Sequence, residues 1–326
     1  MVSDESIRQF TKMNEMGREQ VPFLFIIDFE LRNPVVVPIA DLAEFQILFD
    51  INGYRNFSHH SDTFHPIKMS KKPVTYKKYK KSYDIVAKNL KYGNSFLVNL
   101  THKTEIDINL SLSTLFFQSA AKYKLLYNNQ FLVFSPETFI KINDGMISSF
   151  PMKGTIEKDR PNAEEIILSD PKELAEHVTI VDLIRNDLSK IASDVKTLRF
   201  RFIDEIKTSQ KDLLQVSSEI TGRLPENYTS KIGDMLLALL PAGSVSGAPK
   251  VKTMDIIKQS EQADRGFFTG VFGYFNGRDL DSGVMIRFME KVGETYYFRS
   301  GGGITVNSNP QSEYQEMIDK VYVPFA

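Results

Sequence analysis

The sequence contains no cysteine. Without a thiol there is no disulfide, no zinc–thiolate site and no thiol nucleophile, so a cysteine-based glutaminase activity is excluded from this chain. Only five histidines are present, so a divalent cation would be held chiefly by oxygen. No run of roughly eighteen uninterrupted apolar residues occurs, and no membrane span is expected. Residues 1–20 are polar and charged, without the apolar stretch of a secretion signal. Charge of either sign is also lacking in excess: 40 basic residues against 41 acidic ones leave a net −1. No nucleic acid or other polyanion partner is implied by that balance. The expectation is a cytoplasmic protein with neither a nucleic-acid nor a membrane partner.

What is present is a large apolar content, 42% of 326 residues, enough for a substantial core. Residues 6–16 read as a helix with Gly17 as its C-cap. Residues 22–29 form an apolar run expected to be a strand buried on both faces. Further strands are expected at 35–37 and 47–52, the latter ending in an Asn52-Gly53 turn. Residues 56–73, with His59, His60 and His65, read as a loop rather than a metal cluster. Beyond them Tyr79, Tyr83, Val86 and Leu90 recur at helical spacing, lysines covering the opposite face, and Gly93 closes that helix.

From residue 95 strands dominate. Hairpins are predicted around Asn128-Asn129 and Asp144-Gly145, making the strand that feeds Lys153 the last of an antiparallel meander. Asn162 is a candidate cap for a helix over 163–168. Pro171 opens a longer helix whose buried stripe is predicted as Leu174, Val178, Val181, Ile184 and Leu188. A strand is expected at 195–202, and residues 213–220 are ambiguous. A helix over 231–240 stops at Pro241, a small-residue loop spans 242–249, and a helix covers 250–260. Strands at 267–275, 283–290 and 295–299 are followed by a final helix over 310–322, with Gly301-Gly302-Gly303 interrupting the sheet edge. Helices following strand meanders point to an α+β fold: large antiparallel sheets forming a central sandwich flanked by helices.

Four features carry candidate chemistry. Lys153 lies in Pro151-Met152-Lys153-Gly154-Thr155, between apolar neighbours and a glycine. A lysine amine desolvated there would be a nucleophile. The alternative is a solvated lysine after an edge strand. Glu173 and Glu176 share one helix face, and Glu313 and Glu316 repeat the spacing on the last helix. Four such carboxylates suit magnesium, although Asp170 with Glu173 also reads as a capping box and Glu316 with Lys320 as a helix ion pair. Glycine-rich segments at 243–247 and 301–303 could present backbone N–H groups to an anion or could simply be tight turns. Neither fits a nucleotide-binding fingerprint. Arg287, inside an expected apolar strand, needs a carboxylate partner from a substrate or from the protein.

These segments together resemble the chorismate-utilising enzymes. The matching stretches are residues 93–101, Ser135-Pro136-Glu137, residues 151–155, residues 176–187, residues 243–250, residues 265–275, and Gly301-Gly302-Gly303 with Glu313 and Glu316, in family order. The resemblance implies a single chorismate-binding catalytic domain over 1–326, with 1–74 a shortened N-terminal portion and 75–326 the family core. Anthranilate synthases carry alanine where this chain has Lys153, and isochorismate synthases place their working lysine at a position aligned with Leu97. The aminodeoxychorismate synthase branch carries lysine at the Lys153 position.

That branch implies conversion of chorismate and ammonia to 4-amino-4-deoxychorismate, toward para-aminobenzoate and folate. Lys153 would be the nucleophile and Glu137 the acid. Mg2+ would be held through Glu173, Glu176, Glu313 and Glu316. Ser244, Arg287, Gly301, Gly302, Gly303 and Lys320 would bind substrate, and ammonia would come from a separate glutamine amidotransferase subunit. Two positions depart from the family pattern: Gln215 stands where a histidine is usual, and Phe268 where tyrosine is common.

Overall fold

The protein is described here by a computed structural model covering residues 3–58, 65–206 and 212–324. Its described strands, numbered in chain order, build two antiparallel sheets of nine strands each. The first contains β1 (Phe23–Ile27), β2 (Val35–Pro38), β9 (Thr138–Asn143), β10 (Met146–Ser149), β11 (Met152–Glu157), β12 (Ser193–Ile206), β13 (Leu213–Arg223), β15 (Val271–Phe275) and β16 (Leu280–Val284). The second contains β3 (Ile47–Ile51), β4 (Tyr54–Arg55), β5 (Met69–Lys72), β6 (Leu97–Ile108), β7 (Tyr123–Tyr127), β8 (Phe131–Ser135), β14 (Gly247–Ala248), β17 (Phe288–Val292) and β18 (Thr295–Ile304). The α+β sandwich expected from the sequence is present.

Strand β1 shows why it is a sandwich. All five of its residues are buried. Leu24 and Ile26 pack with Phe49, Leu125, Val133, Phe272 and Phe288, drawn from both sheets. Phe23, Phe25 and Ile27 face the other way, into a core shared with helices α1 (Asp4–Arg18), α5 (Pro171–Leu188) and α6 (Ile232–Leu239). Alternating side chains therefore serve two cores, which is what a continuous apolar run with period two allows. Two further cores lie on the outer side of the second sheet. Helices α2 (Tyr76–Lys91), α8 (Lys250–Glu261) and α9 (Pro310–Asp319) cover one, and α3 (Leu112–Gln118) covers the other. Short α4 (Ala163–Ser169) and the single turn α7 (Gly243–Ser246) complete the α-helices among the described residues.

Several expectations are corrected. Gly17 is inside α1, not after it, and a Cβ there would overlap the Thr229 carbonyl oxygen; it is a close-approach site. Residues 69–72 of the expected loop pair with β6; His59 and His60 lie outside the described residues. Asn162 takes a left-handed conformation and makes no side-chain cap, whereas Asp170 caps α5 through Oδ1, accepting from Glu173 N at 3.1 Å. The buried face of α5 is rotated from prediction: Glu176, His177, Ile180, Val181, Ile184 and Leu188 are buried, while Leu174 and Val178 are exposed. Residues 243–246 of the expected small-residue loop form a helical turn.

Strand β10, which feeds Lys153, pairs with β9 as the expected hairpin, but the chain changes sheets between β8 and β9, so the expected meander is split; β11 continues the line of β10. Residues 146–149 pair with β13 from Arg223 to Ile220, and Met152 pairs with Ser217, in the same register and along the same edge. Pro151, which has no N–H, interrupts the ladder while its carbonyl still accepts from Ser218 N at 3.0 Å. The register then shifts between Met152 and Thr155, so Lys153 and Gly154 form a β-bulge, a device that re-aims a side chain.

Candidate active site

Three local features aim side chains into one cleft at the end of the sandwich. The first is the bulge. Gly154 has φ +81, a conformation that favours glycine, and a Cβ there would approach Glu173 Oε2 at 3.2 Å and Ile167 at 3.3 Å. Beside it Lys153 is half-buried, and its Nζ would lie 3.4 Å from a Cβ built on Gly303. Among the described residues the Lys153 amine makes no ion pair or hydrogen bond.

The second is a pair of crossovers between the sheets. The chain leaves β8 of one sheet for β9 of the other through Pro136-Glu137, and leaves β16 for β17 through residues 285–287. The two crossovers bond to one another: Val284 N donates to Glu137 O at 3.1 Å, and Phe134 N donates to Arg287 O at 3.2 Å. Arg287 is therefore not within a strand, as the sequence suggested, but in a bend at φ +51. A left-handed arginine is uncommon and is held only where surroundings enforce it. Its guanidinium lies 5.1 Å from the centre of the Tyr322 ring, and its buried Nε has no hydrogen-bond partner among the described residues.

The third is the glycine run, which does not interrupt a sheet edge. Gly301, Gly302 and Gly303 continue β18 and pair with Thr101, Leu100 and Asn99 of β6. Strand β17 pairs with β18 only as far as Arg299, so the opposite backbone edge of the run opens on the cleft. A Cβ at Gly302 would stand 3.4 Å from Glu316 Oε1, 3.5 Å from Glu313 Oε2 and 3.6 Å from Lys320 Nζ. A Cβ at Gly303 would stand 3.7 Å from Glu176 Oε2. The absent side chains are what leave room between α5, α9 and the strand.

All twelve predicted site residues line this cleft, about 970 Å³ in volume: Lys153, Glu137, Ser244, Arg287, the three glycines, Lys320 and the four glutamates. Residues not singled out beforehand also line it, including Asn99, Thr101, Thr269 and Gln311. Asn99 and Thr101 lie in the matching stretch 93–101, yet nothing in strand periodicity distinguishes them from other wall residues. Gln215 and Phe268, the two departures from the family pattern, are both on the wall.

The electrostatics are mixed. Burial pushes the Glu137 carboxyl above its ordinary range, against the opposing pull of the Ser244 hydroxyl and of Lys153, Arg287 and Lys320. Ser244 Oγ donates to Glu137 Oε1. Burial lowers Lys320, opposed by Glu316, to which its Nζ is bonded at 2.6 Å; the same Nζ donates to Gly301 O at 3.0 Å. His177, next to Glu176, is held down to about 4 by burial and then by the positive charges of Arg201 and Lys153. It shares a 2.7 Å hydrogen bond with Ser218 Oγ.

Glu173 and Glu176 approach from α5, and Glu313 and Glu316 from α9. Among the described residues no three acidic or imidazole groups converge into a preformed metal cluster. Hard oxygen donors from two facing helices nevertheless match the chemistry of magnesium, which uses a few carboxylates and keeps several waters. Below the cleft, Arg265 is only 1% exposed. It bonds Glu261 at 2.6 and 3.0 Å, Asn99 O at 2.7 Å and Val245 O at 2.8 Å, tying α8, β6 and α7 together.

The cleft thus gathers three cations beside the Glu137 carboxyl, a strand edge free of side chains and four further carboxylates. Residues 39–325 match the family described as chorismate binding enzyme, and the chain belongs to that family. It is 49% identical over 311 residues to an uncharacterized PabA-like protein of Haemophilus influenzae, covering 95% of this chain and 94% of that one. It is 36% identical over 206 residues to aminodeoxychorismate synthase component 1 of Salmonella typhimurium, covering 60% of this chain and 44% of that one. Anthranilate synthase component I of Streptococcus pneumoniae superposes with a TM-score of 0.67 at 28% identity, over 78% of this chain and 58% of that one. No helix among the described residues is long and apolar enough to cross a membrane.

Proposed function

We propose that the protein is the synthetic subunit of an aminodeoxychorismate synthase, making 4-amino-4-deoxychorismate from chorismate and ammonia for para-aminobenzoate and folate synthesis. The observation that carries this reading is Lys153, half-buried on a bulge and set against Gly303 at the floor of the cleft. It occupies the position at which the family's branches differ, and an amine there supplies a covalent route.

The steps balance. Lys153 Nζ forms a bond to C2 of the ring, both ring double bonds shift (C1=C2 to C1=C6 and C5=C6 to C4=C5), and the C4–oxygen bond breaks. Glu137, whose carboxyl is kept protonated to higher pH by burial, gives its proton to the departing hydroxyl, which leaves as water. Ammonia then bonds to C4, the two double bonds shift back, the C2–Lys153 bond breaks, and the surplus proton on the new amine returns to Glu137. The enolpyruvyl group is retained throughout. Arg287, Lys320, Ser244 and the edge of Gly301–Gly303 hold substrate carboxylate and hydroxyl groups. Glu173, Glu176, Glu313 and Glu316 would hold Mg2+, which when bound offsets negative charge at a substrate carboxylate. Gln215, in place of a histidine, fits an enzyme that stops before pyruvate is eliminated. Ammonia would come from a separate glutamine amidotransferase subunit, since this chain has no cysteine.

The test is mass spectrometry of the product formed from chorismate, magnesium and ammonium. Aminodeoxychorismate is expected, and Lys153→Ala should abolish it while leaving the fold intact. Anthranilate with pyruvate would instead place the protein on the anthranilate branch, and no turnover, even with a glutaminase subunit added, would indicate an inactive member acting through binding.

A further inference from the structure

Two of the matching stretches end in residues that the mechanism leaves unused. Asp187 closes 176–187, and Lys250 closes 243–250. In the fold they meet. Lys250 Nζ lies 2.6 Å from Asp187 Oδ2, with the side chains 14% and 8% exposed, and Lys190 Nζ bonds Asp187 Oδ1 at 2.8 Å. Lys250 also bonds Leu239 O. The pair joins the end of α5 to the start of α8.

Between those ends sits the four-residue turn α7, and it carries Ser244. A Cβ on Gly243 would lie 2.9 Å from Leu183 Cδ2 and 3.5 Å from Asp187 Oδ2, so the turn rests directly on α5 at Asp187. Its other end is fixed by Arg265, which donates to Val245 O at 2.8 Å. A small cavity of about 20 Å³, room for one water molecule, is lined by Asp187, Gly243, Ser244 and Glu137 among others. The turn is thus held at two points, and its one polar side chain in the cleft bonds the acid.

We propose that the buried Asp187–Lys250 pair is a positioning device for Glu137, acting through the α7 turn and the Ser244 hydroxyl. The proposal rests on the reading of Glu137 as the acid. A buried ion pair is poor evidence of stabilisation and is better suited to fixing one arrangement among several. Here that arrangement decides where a hydroxyl meets a carboxyl whose aim matters to a fraction of an ångström.

The experiment compares wild-type protein with Asp187→Asn, Lys250→Met, Lys250→Arg, Ser244→Ala, Asp187→Asn/Ser244→Ala and Glu137→Gln, measuring chorismate turnover with magnesium and ammonium and thermal unfolding of each. Asp187→Asn and Lys250→Met are expected to lower kcat about 10- to 100-fold with the KM for chorismate within about twofold, per folded molecule. Lys250→Arg should recover most of the loss. The double variant should be no worse than Ser244→Ala alone, because both changes act on one contact. Effects of Asp187→Asn and Ser244→Ala that multiply, a change confined to KM, or a loss that merely tracks the folded fraction would each overturn the proposal. Glu137→Gln separates the two failures. If it is inactive while Asp187→Asn is fully active, the positioning role fails and the acid stands; if it is fully active, the acid itself is misassigned and the positioning role falls with it.

Discussion

Replacing Gly302 by alanine should damage function without damaging the fold. Gly302 is not in the left-handed region. The nearest atoms to the added methyl would be the ends of Glu316, Glu313 and Lys320, at 3.4–3.6 Å, which is ordinary contact. Alanine is about 0.5–1 kcal/mol better than glycine inside a strand, so the unfolding midpoint should stay constant or rise by about 1 °C. Gly301→Ala provides the contrast. Its Cβ would overlap the Leu100 carbonyl oxygen and lie 2.7 Å from Thr101 Cα. Backbone of a paired strand cannot move aside as a side-chain tip can, so a cost of at least about 1–3 kcal/mol is expected.

Activity should respond in the opposite sense to stability. The Gly302 methyl would project between the glutamates of α9 and the strand edge, where a substrate carboxylate would lie. A raised KM and a loss of kcat/KM of about 10- to 100-fold are expected. The assay is steady-state turnover of chorismate beside thermal melts of both variants. Wild-type kcat/KM in Gly302→Ala would refute the placement of substrate against this edge. Equal destabilisation by the two alanines would refute the geometric distinction between them.

Other consequences are open to measurement. The Glu137 carboxyl is raised by burial, so its protonated form is the one the fold favours; the associated stability is present at low pH and lost as pH rises through the raised value. Glu137→Gln should therefore gain stability relative to wild type as pH increases from the ordinary carboxyl range upward, while losing activity; a difference in melting temperature that does not change with pH would contradict this. Arg265→Met leaves Glu261 buried without its charge partner and should lower stability by about 3–5 kcal/mol in chemical denaturation, whereas a loss below about 1 kcal/mol would show that Arg265 is not the tie described. Glu176→Gln and Glu316→Gln should weaken the response of activity to magnesium, and a wild-type magnesium titration in both would reject these carboxylates as ligands.

Much of this arrangement is legible in the sequence, for identifiable reasons. The five apolar residues of β1 announce burial on both faces, and Asn52-Gly53, Asn128-Asn129 and Asp144-Gly145 mark turns because their backbones are left-handed. The stripe of α2 is read correctly because its wet face is lysine-rich and leaves no competing phase. Helix α5 is misread because it has polar residues on its buried side. Glu176 and His177 turn inward toward the cleft and the Ser218 hydroxyl, and Leu174 and Val178 are displaced outward. A hydrophobic pattern finds the face that meets a core, and at a site the inward face is set by chemistry instead.

The same conflict explains the glycines and Arg287. Gly301-Gly302-Gly303 has low strand propensity, so read locally it ends a strand; in the fold, pairing with β6 holds it extended, and the missing side chains keep the cleft open. Met285 to Arg287 is apolar enough to read as strand, yet the chain must there pass from one sheet to the other, and it does so in a bend that local propensity does not specify. Bonded to that crossover is the one that carries Glu137, with Lys153 on the bulge across the cleft. The residues that local patterning places worst are those that form the candidate site. Misphased polar positions, glycine runs and a lone arginine in an apolar segment are thus positive signals for a site in this chain, each marking where a regular element gives way to expose chemistry.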